Sequence, residues 1–451
     1  MPGFVRGQKD TEMANKRILF ISWEGGMGHI TRDVAIAREI HRQIPQAHLV
    51  WLASPLSTCL LRDVGEQLLP ESALSADYNS VVPAHAFRGF RVNLMKFMLY
   101  VGKAWSQNLQ IFKKVISKYS FDIVIGDEAY EIASALDSGK LDIQIPFVII
   151  HDLIGAIAMT KNPFEKFLVY LMNRRWSRTD IHPLVTNFFV GELEDIPDEK
   201  FGFLLSGRRE WARKHCECLG YVIRFDPGEY ADKAEVRAEL GYGKEPLVVC
   251  SLGGASVGEE LLELCGRAYP ILKKEIPDLR MVMVCGGLMN PESLHLPKGI
   301  DVRGYVSNLY EHFAASDLAV VVAGGTSTIE LTALRRPFIY FPLERHFAQQ
   351  ILVSQRLARH RAGIRMSYYQ TTPANLAEKI ISNLGKKVEY ATIPIDGAEK
   401  AAKLISGLLS GNQPFRPSGN QATGNRTSGY RASRLQGIRV TGNQATDNLI
   451  A

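Results

Sequence analysis

No apolar run in the 451 residues reaches the length needed to span a bilayer, so no spanning helix is expected. The opening stretch "MPGFVRGQKDTEMANKR" has no apolar core of the kind a signal peptide needs. It reads as a flexible polar leader over residues 1–16, and the expected compartment is the cytoplasm. Cysteine is scarce: the six are 59, 216, 218, 250, 265 and 285. Only Cys216 and Cys218 are close, and a C-x-C pair with no second pair and no nearby histidine is a poor zinc signature. Reduced, mostly buried thiols fit better. No D-x-D metal signature appears either, so no metal and no resident cofactor are expected.

Excess charge is also missing once the tail is set aside. The net charge is +6, but residues 412–451 hold five arginines (416, 426, 431, 434, 439) against one acid, Asp447, and so carry +4 of it. The remainder is nearly neutral, which argues against nucleic acid as a partner. The tail, rich in Gly, Asn, Ser, Thr and Arg and repeating "GNQAT", reads as a disordered basic segment.

What remains is an ordinary globular composition, 46% apolar and 22% charged, with length for about two domains. Strand-like runs alternate with helical patterns, the mark of parallel sheets wrapped by helices. The first half has "RILFISW" (17–23), "HLVWLA" (48–53), "FDIVIG" (121–126), "PFVIIH" (146–151) and a further run at "PLVTNFF". The second has "PLVVCSL" (246–252), "RMVMVCG" (280–286), "LAVVVAG" (318–324) and "PFIYFP" (337–342). Turn residues and one short helix mark a hinge near 224–245. The expected architecture is two doubly wound, Rossmann-like α/β domains, 17–223 and 246–411, facing across a cleft. Ligands of such sheets bind at the carboxyl ends of the strands.

Several motifs sit at those ends. "EGGMGHITR" follows the first strand and opens a helix, whose unpaired N–H groups suit an anion. "SLGGAS" repeats the pattern with Ser251, Gly253, Gly254, Ala255 and Ser256, either a phosphate turn or an ordinary short connection. "VVVAGGTSTIE" ends a strand at Ala323-Gly324-Gly325, and Thr326, Ser327 and Thr328 start the next helix. Glu330 near that helix start suits the paired hydroxyls of a ribose; alternatively, Ser327 and Glu330 form an S-x-x-E capping box. Farther on, the amides of Gln349 and Gln350 suit sugar hydroxyls.

Taken together, "SLGGAS", "GYVSNLYEHFAASDLAVVVAGGTSTIELTALRRPFIYFPL" and "RHFAQQ", spread over roughly 246–365, resemble the donor-binding domain of GT-B nucleotide-sugar glycosyltransferases. The nearest likeness is to the peptidoglycan N-acetylglucosaminyltransferase group, family 28, and a more distant one is to the UDP-glucuronosyl/glucosyltransferases. The resemblance implies a UDP-sugar co-substrate. Val306 would contact the base, Gly253 and Gly254 the diphosphate beside Gly324, Gly325, Thr326 and Ser327, Glu330 the ribose, and Gln349 and Gln350 the sugar. Two departures stand out. The family-28 turn usually reads "GGSxGA", and plant-type enzymes carry a histidine where this chain has "AGGTST".

The same families carry a Gly-rich N-terminal loop ending in Gly-His, which matches Gly26, Gly28 and His29. An inverting transfer needs a base for the acceptor hydroxyl, and a neutral imidazole serves near pH 7. Asp127 is the expected orienting carboxylate, with Glu128 second; the plainer readings are a turn residue for His29 and a helix N-cap for Asp127. His151, in "IIHDLIG", falls where family 28 has an acceptor-side loop, or else forms a satisfied polar pair with Asp152. His346 reads as structural or near the donor sugar. Arg32 or Arg345, with helix N-termini, would supply positive charge for the leaving diphosphate.

On the acceptor side, residues 85–119 and 162–178 are aromatic, apolar and basic. Such segments lie in a membrane interface or line an apolar groove, or they pack as two long helices with basic outer faces. The function so read is inverting, metal-independent transfer from a UDP-sugar to a hydroxyl acceptor, with a hydrophobic or lipid-linked acceptor and peripheral membrane contact as expectations. A nucleotide-sugar hydrolase, an epimerase, or a non-catalytic donor-binding subunit stays open.

Overall fold

The computed structural model describes residues 15–23, 26–76, 85–178, 182–253 and 258–411. All but the last two residues of the expected leader, the whole expected tail and Gly254 lie outside the described residues. The first sheet uses β1 (Arg17–Ser22), β2 (His48–Ala53), β3 (Ile123–Asp127), β4 (Phe147–His151), β5 (Val185–Val190) and β6 (Cys216–Gly220). The second uses β7 (Leu247–Ser251), β8 (Arg280–Val284), β9 (Asp301–Arg303), β10 (Leu318–Val322), β11 (Phe338–Phe341) and β12 (Ile364–Arg365). All neighbours in both sheets run parallel, in the orders β2-β1-β3-β4-β5-β6 and β9-β8-β7-β10-β11-β12.

Parallel strands covered on both faces must be apolar on both faces, and these are. In β1, Ile18 and Phe20 join the cluster under the first helix, while Leu19 and Ile21 join the opposite one. The runs anticipated from sequence all form strands. β6, β9 and β12 were not anticipated: the last two span three and two residues, and β6 reads "CECLG", too polar to mark a strand. Cys216 and Cys218 therefore lie along a sheet edge, and the thiols of 216, 218, 250, 265 and 285 are all free.

Six helices matter below: α1 (Met27–Gln43), α2 (Leu94–Lys118), α3 (Pro163–Trp176), α4 (Glu259–Glu275), α5 (Gly325–Ala333) and α6 (Gly397–Leu409). Among the described residues no helix is long and apolar enough to cross a membrane. The chain crosses between the domains twice, and the two crossings touch. Tyr221 N–H donates to Pro394 O at 2.8 Å, and Gly397 N–H donates to Tyr221 O at 3.1 Å.

Sequence position placed 246–411 in one domain, yet α6 returns to the other. Its stripe of Ala398, Ala401, Ala402, Ile405 and Leu409 packs against α1 in the core of the first sheet. Ile405, fully buried there, contributes about 1.5–3 kcal/mol. Conversely, Val236 and Tyr242 from the expected hinge belong to the second core.

Candidate active site

Strand order decides where each domain can bind. In the first sheet the chain moves outward from β1 to β2, then resumes at β3 on β1's other side; the crevice opens between β1 and β3. The second sheet reverses in the same way between β7 and β10. The turns after these four strands hold His29, Asp127, Gly253 and Gly324, and the two crevices face each other.

On the first side, Gly26 caps α1 with φ at +107°, a conformation that favours glycine. Two residues on, a Cβ at Gly28 would stand 2.7 Å from Thr326 Oγ1, so only glycine admits this approach of the two domains. Thr326 Oγ1 donates across the cleft to Gly28 O at 3.1 Å.

His29 sits in the first turn of α1 with its side chain 19% exposed. Its Nδ1 lies 2.9 Å from Asp127 Oδ2, at the end of β3, where the carboxylate is fully buried. One helical turn later Arg32, also buried, pairs with Asp127 Oδ1 and with Asp152 Oδ1. Asp152 Oδ2 stands 3.7 Å from His29 Nε2.

Charge sets the protonation of this group. Burial disfavours an imidazolium, but the Asp127 carboxylate outweighs both burial and Arg32, and the His29 pKa rises from 6.5 to about 10. Burial likewise opposes the Asp127 charge, while Arg32 and His29 prevail and hold the carboxyl well below its usual range. As an imidazolium the ring donates from Nδ1 to Asp127, which also fixes its orientation, with Arg32 Nη2 2.9 Å from the same nitrogen. Next to them Asp33 is driven the other way, its pKa raised well above the usual carboxylate range by burial and by Asp127. It accepts from Ser22 Oγ at 2.6 Å. Neither Asp33 nor Asp152 carries a motif signal; only the packing places them here.

The second side is almost uncharged. Gly28, Gly253, Val306, Thr326, Ser327 and Glu330 line one open cavity with Met27, Tyr305 and Arg224. Gly324 is the N-cap of α5 and no side chain caps that helix. Glu330 is thus six residues in, and the capping-box reading does not hold. Its carboxyl, 5% exposed, is pushed up to about 7 by burial against the pull of Arg224. The start of α5, which no side chain caps, brings Thr326 and Ser327 to the cavity, and the N–H groups of such a helix start suit an anion.

Two expectations need correction. Arg32 is committed to two carboxylates and is no free cation for a leaving diphosphate; the arginine in the cavity is Arg224, which stood in the expected hinge. His151 is 3% exposed, with Nε2 bonded to Asn187 Oδ1 at 3.0 Å and its ring boxed by Tyr130 and Trp176. Burial drops its pKa to about 4. The expected pair with Asp152 does not form: Asn187 is the partner of Nε2, Nδ1 is buried without a hydrogen bond, and Asp152 pairs with Arg32 instead. Gln349 and Gln350 lie in a π-helical turn, Ala348–Val353, outside the cavity lining. Gln349 Oε1 accepts from Leu343 N–H at 2.9 Å.

Residues 248–406 match the glycosyltransferase family 28 C-terminal domain. A protein of Acetivibrio thermocellus, named UDP-N-acetylglucosamine–N-acetylmuramyl-(pentapeptide) pyrophosphoryl-undecaprenol N-acetylglucosamine transferase, is 23% identical over 72% of this chain and 77% of its own length. Its namesake from Lactococcus lactis subsp. lactis is 22% identical over 88% of this chain and 96% of its own. Among solved structures, the glycotransferase of kitacinnamycin aligns with a TM-score of 0.54 at 14% identity, covering 89% of this chain and 96% of that one. The calicheamicin glycosyltransferase CalG4 aligns over the same shares at 14% identity with a TM-score of 0.52. The chain has the fold of the GT-B glycosyltransferases, and residues 248–406 are similar to the family 28 C-terminal domain.

Proposed function

We propose that the protein transfers N-acetylglucosamine, with inversion and without a metal, from its UDP-linked form to a hydroxyl of a lipid-linked acceptor. The observation that carries this reading is the His29–Asp127 pair at one switch point, next to Gly28 and Thr31, which share one cavity with Thr326, Ser327 and Glu330 at the other. The named relatives use that donor and an undecaprenol-linked acceptor.

In this reading the uracil lies by Val306, the ribose hydroxyls donate to Glu330, and the diphosphate rests on the N–H groups of Gly325, Thr326 and Ser327 and on the Gly253 turn. Arg224 is the cation nearest the leaving group. Nε2 of His29 takes the acceptor proton once the ring has given up its own, and Asp127 stabilises the imidazolium that forms. With the resting imidazole held protonated, turnover rises with pH.

Membrane contact belongs to the same proposal. On α3, Phe164 (54% exposed), Phe167 (55%) and Leu171 (39%) follow helical spacing on one face. Exposed Lys161, Lys166, Arg174 and Arg175 flank them. An apolar face with a basic rim suits an anionic bilayer holding a lipid-linked acceptor, with the enzyme working from the cytoplasm. The second half of α2 does pack on the sheet, through Ile111, Phe112 and Val115, while Val101 and Ala104 pack in a separate cluster with Ala76 and Ala86.

The test is UDP release from a panel of UDP-hexoses, with and without a lipid extract. Release only from UDP-N-acetylglucosamine and only with extract is expected. Equal release without extract makes the enzyme a hydrolase. Vesicles of anionic and neutral lipid test docking: binding to neither removes the membrane contact.

A further inference from the structure

Between β2 and α2 the chain forms a short hairpin, Phe87–Arg88 paired with Arg91–Val92, whose tip is Gly89-Phe90. A phenylalanine at a hairpin tip is ordinarily exposed. Phe90 is fully buried, and it is buried in the other domain, in the cluster of Val248, Leu252 and Leu261. Its ring stacks on Tyr368 with centroids 4.8 Å apart. A Cβ at Gly258, the N-cap of α4, would come within 3.3 Å of it.

The backbone of the hairpin is also bound to the second domain. Glu344 N–H donates to Phe90 O at 2.8 Å, and Val92 N–H donates to Glu344 O at 2.9 Å, a strand-like bridge across the domains. Arg91 lies over the Tyr369 ring at 5.1 Å. Glu344 opens the loop that leads to Gln349 and Gln350, and its neighbour Leu343 holds the Gln349 amide through its N–H. On the other side, Asn93 directly after the hairpin is the N-cap of α2 and accepts from Lys96 N–H at 3.2 Å.

We propose that the Phe90 hairpin positions the donor-sugar loop. The first domain uses it to set Leu343–Gln350, and α2 thereby couples the acceptor side to recognition of the donor's sugar. Phe90 and Val92 are positioning residues that act through Glu344. The proposal rests on the reading of Gln349 and Gln350 as sugar ligands. Its geometry separates sugar from nucleotide: Val306 lies on another loop and Glu330 on α5, away from the hairpin.

The experiment compares binding of UDP and UDP-N-acetylglucosamine to the full chain, Phe90→Ala, Phe90→Leu and Gln350→Ala. Expected for Phe90→Ala is a loss of roughly 10- to 100-fold in affinity for the UDP-sugar, the scale of a small misplacement. UDP itself should bind as before, and Phe90→Leu should recover most of the loss. If Phe90→Ala leaves the sugar-to-UDP ratio intact while Gln350→Ala lowers it, the hairpin has no positioning role. If neither variant changes the ratio, the sugar assignment of the loop falls and the proposal with it. Should Phe90→Ala fail to fold, hydrogen exchange on the unmodified protein decides. The amides of Val92 and Glu344 should exchange slowly and gain protection together when UDP-sugar, not UDP, is added. Fast exchange at both overturns the bridge.

Discussion

The two switch points are built alike and filled in opposite ways. Each is a strand, a Gly-rich turn and a helix start beside a second strand end. The first packs His29, Arg32, Asp33, Asp127 and Asp152 together, with charges held in fixed states by one another. The second offers glycines, hydroxyls, backbone N–H groups and one half-neutral carboxyl, Glu330. A site that moves a proton needs charges whose pKa values are set by neighbours. A site that holds a diphosphate needs donors at close approach and room for them. The proposed function thus divides chemistry and binding between the domains, and the variants below test that division.

The largest effect should come from His29→Ala, with kcat down by about 10²–10⁴ and UDP affinity unchanged. Full turnover would remove the base and much of the contrast between the two sides. Asp127→Asn should cost nearly as much and should also move the pH profile. In the native protein Asp127 holds the imidazolium, so kcat/KM should climb from neutral pH toward the His29 value of about 10. Without the carboxylate, that limb should shift toward the ordinary histidine range. A profile with the same midpoint in both proteins would show that Asp127 does not set the charge.

Glu330→Gln should act in the other currency, weakening UDP by about 10-fold or more while kcat at saturation changes little. The comparison breaks if kcat falls and affinity holds. The smallest effect is expected from Thr326→Ala, which removes the hydroxyl bonded to Gly28 O, a loss of about 0.5–1.5 kcal/mol from the contact between domains. Gly28→Ala should be worse, because the added Cβ meets Thr326 Oγ1 at 2.7 Å. The double variant, with that oxygen gone, should recover part of the loss in KM.

How much of this was legible can be judged residue by residue. The runs from "RILFISW" to "PFIYFP" all became strands, because a strand buried on both faces advertises itself through continuous apolar residues. The pairing of His29 with Asp127 was legible too, since both follow strands that flank a switch point. Other residues carried no local sign. Arg224 reads as part of a hinge, and Asp33 and Asp152 as polar residues on a helix and a loop. Glu330 fitted a capping box until the helix was seen to begin at Gly324. His151, the more suggestive member of "HD", turned inward to Asn187.

Periodicity and turn chemistry are local, and they are enough to establish two doubly wound domains, their strands and the loops that bear the ligand-facing residues. Contacts between residues far apart in the chain were decided only when the domains closed on each other. α6 folds back on α1 because its stripe of small apolar residues matches that face. Phe90 crosses into the second core because the apolar cluster there buries its ring against Tyr368. Arg32 is taken by Asp127 and Asp152 because a buried guanidinium must be paired. None of these partners lies within the reach of a local pattern, and burial, charge and shape act only once the chain has brought them together.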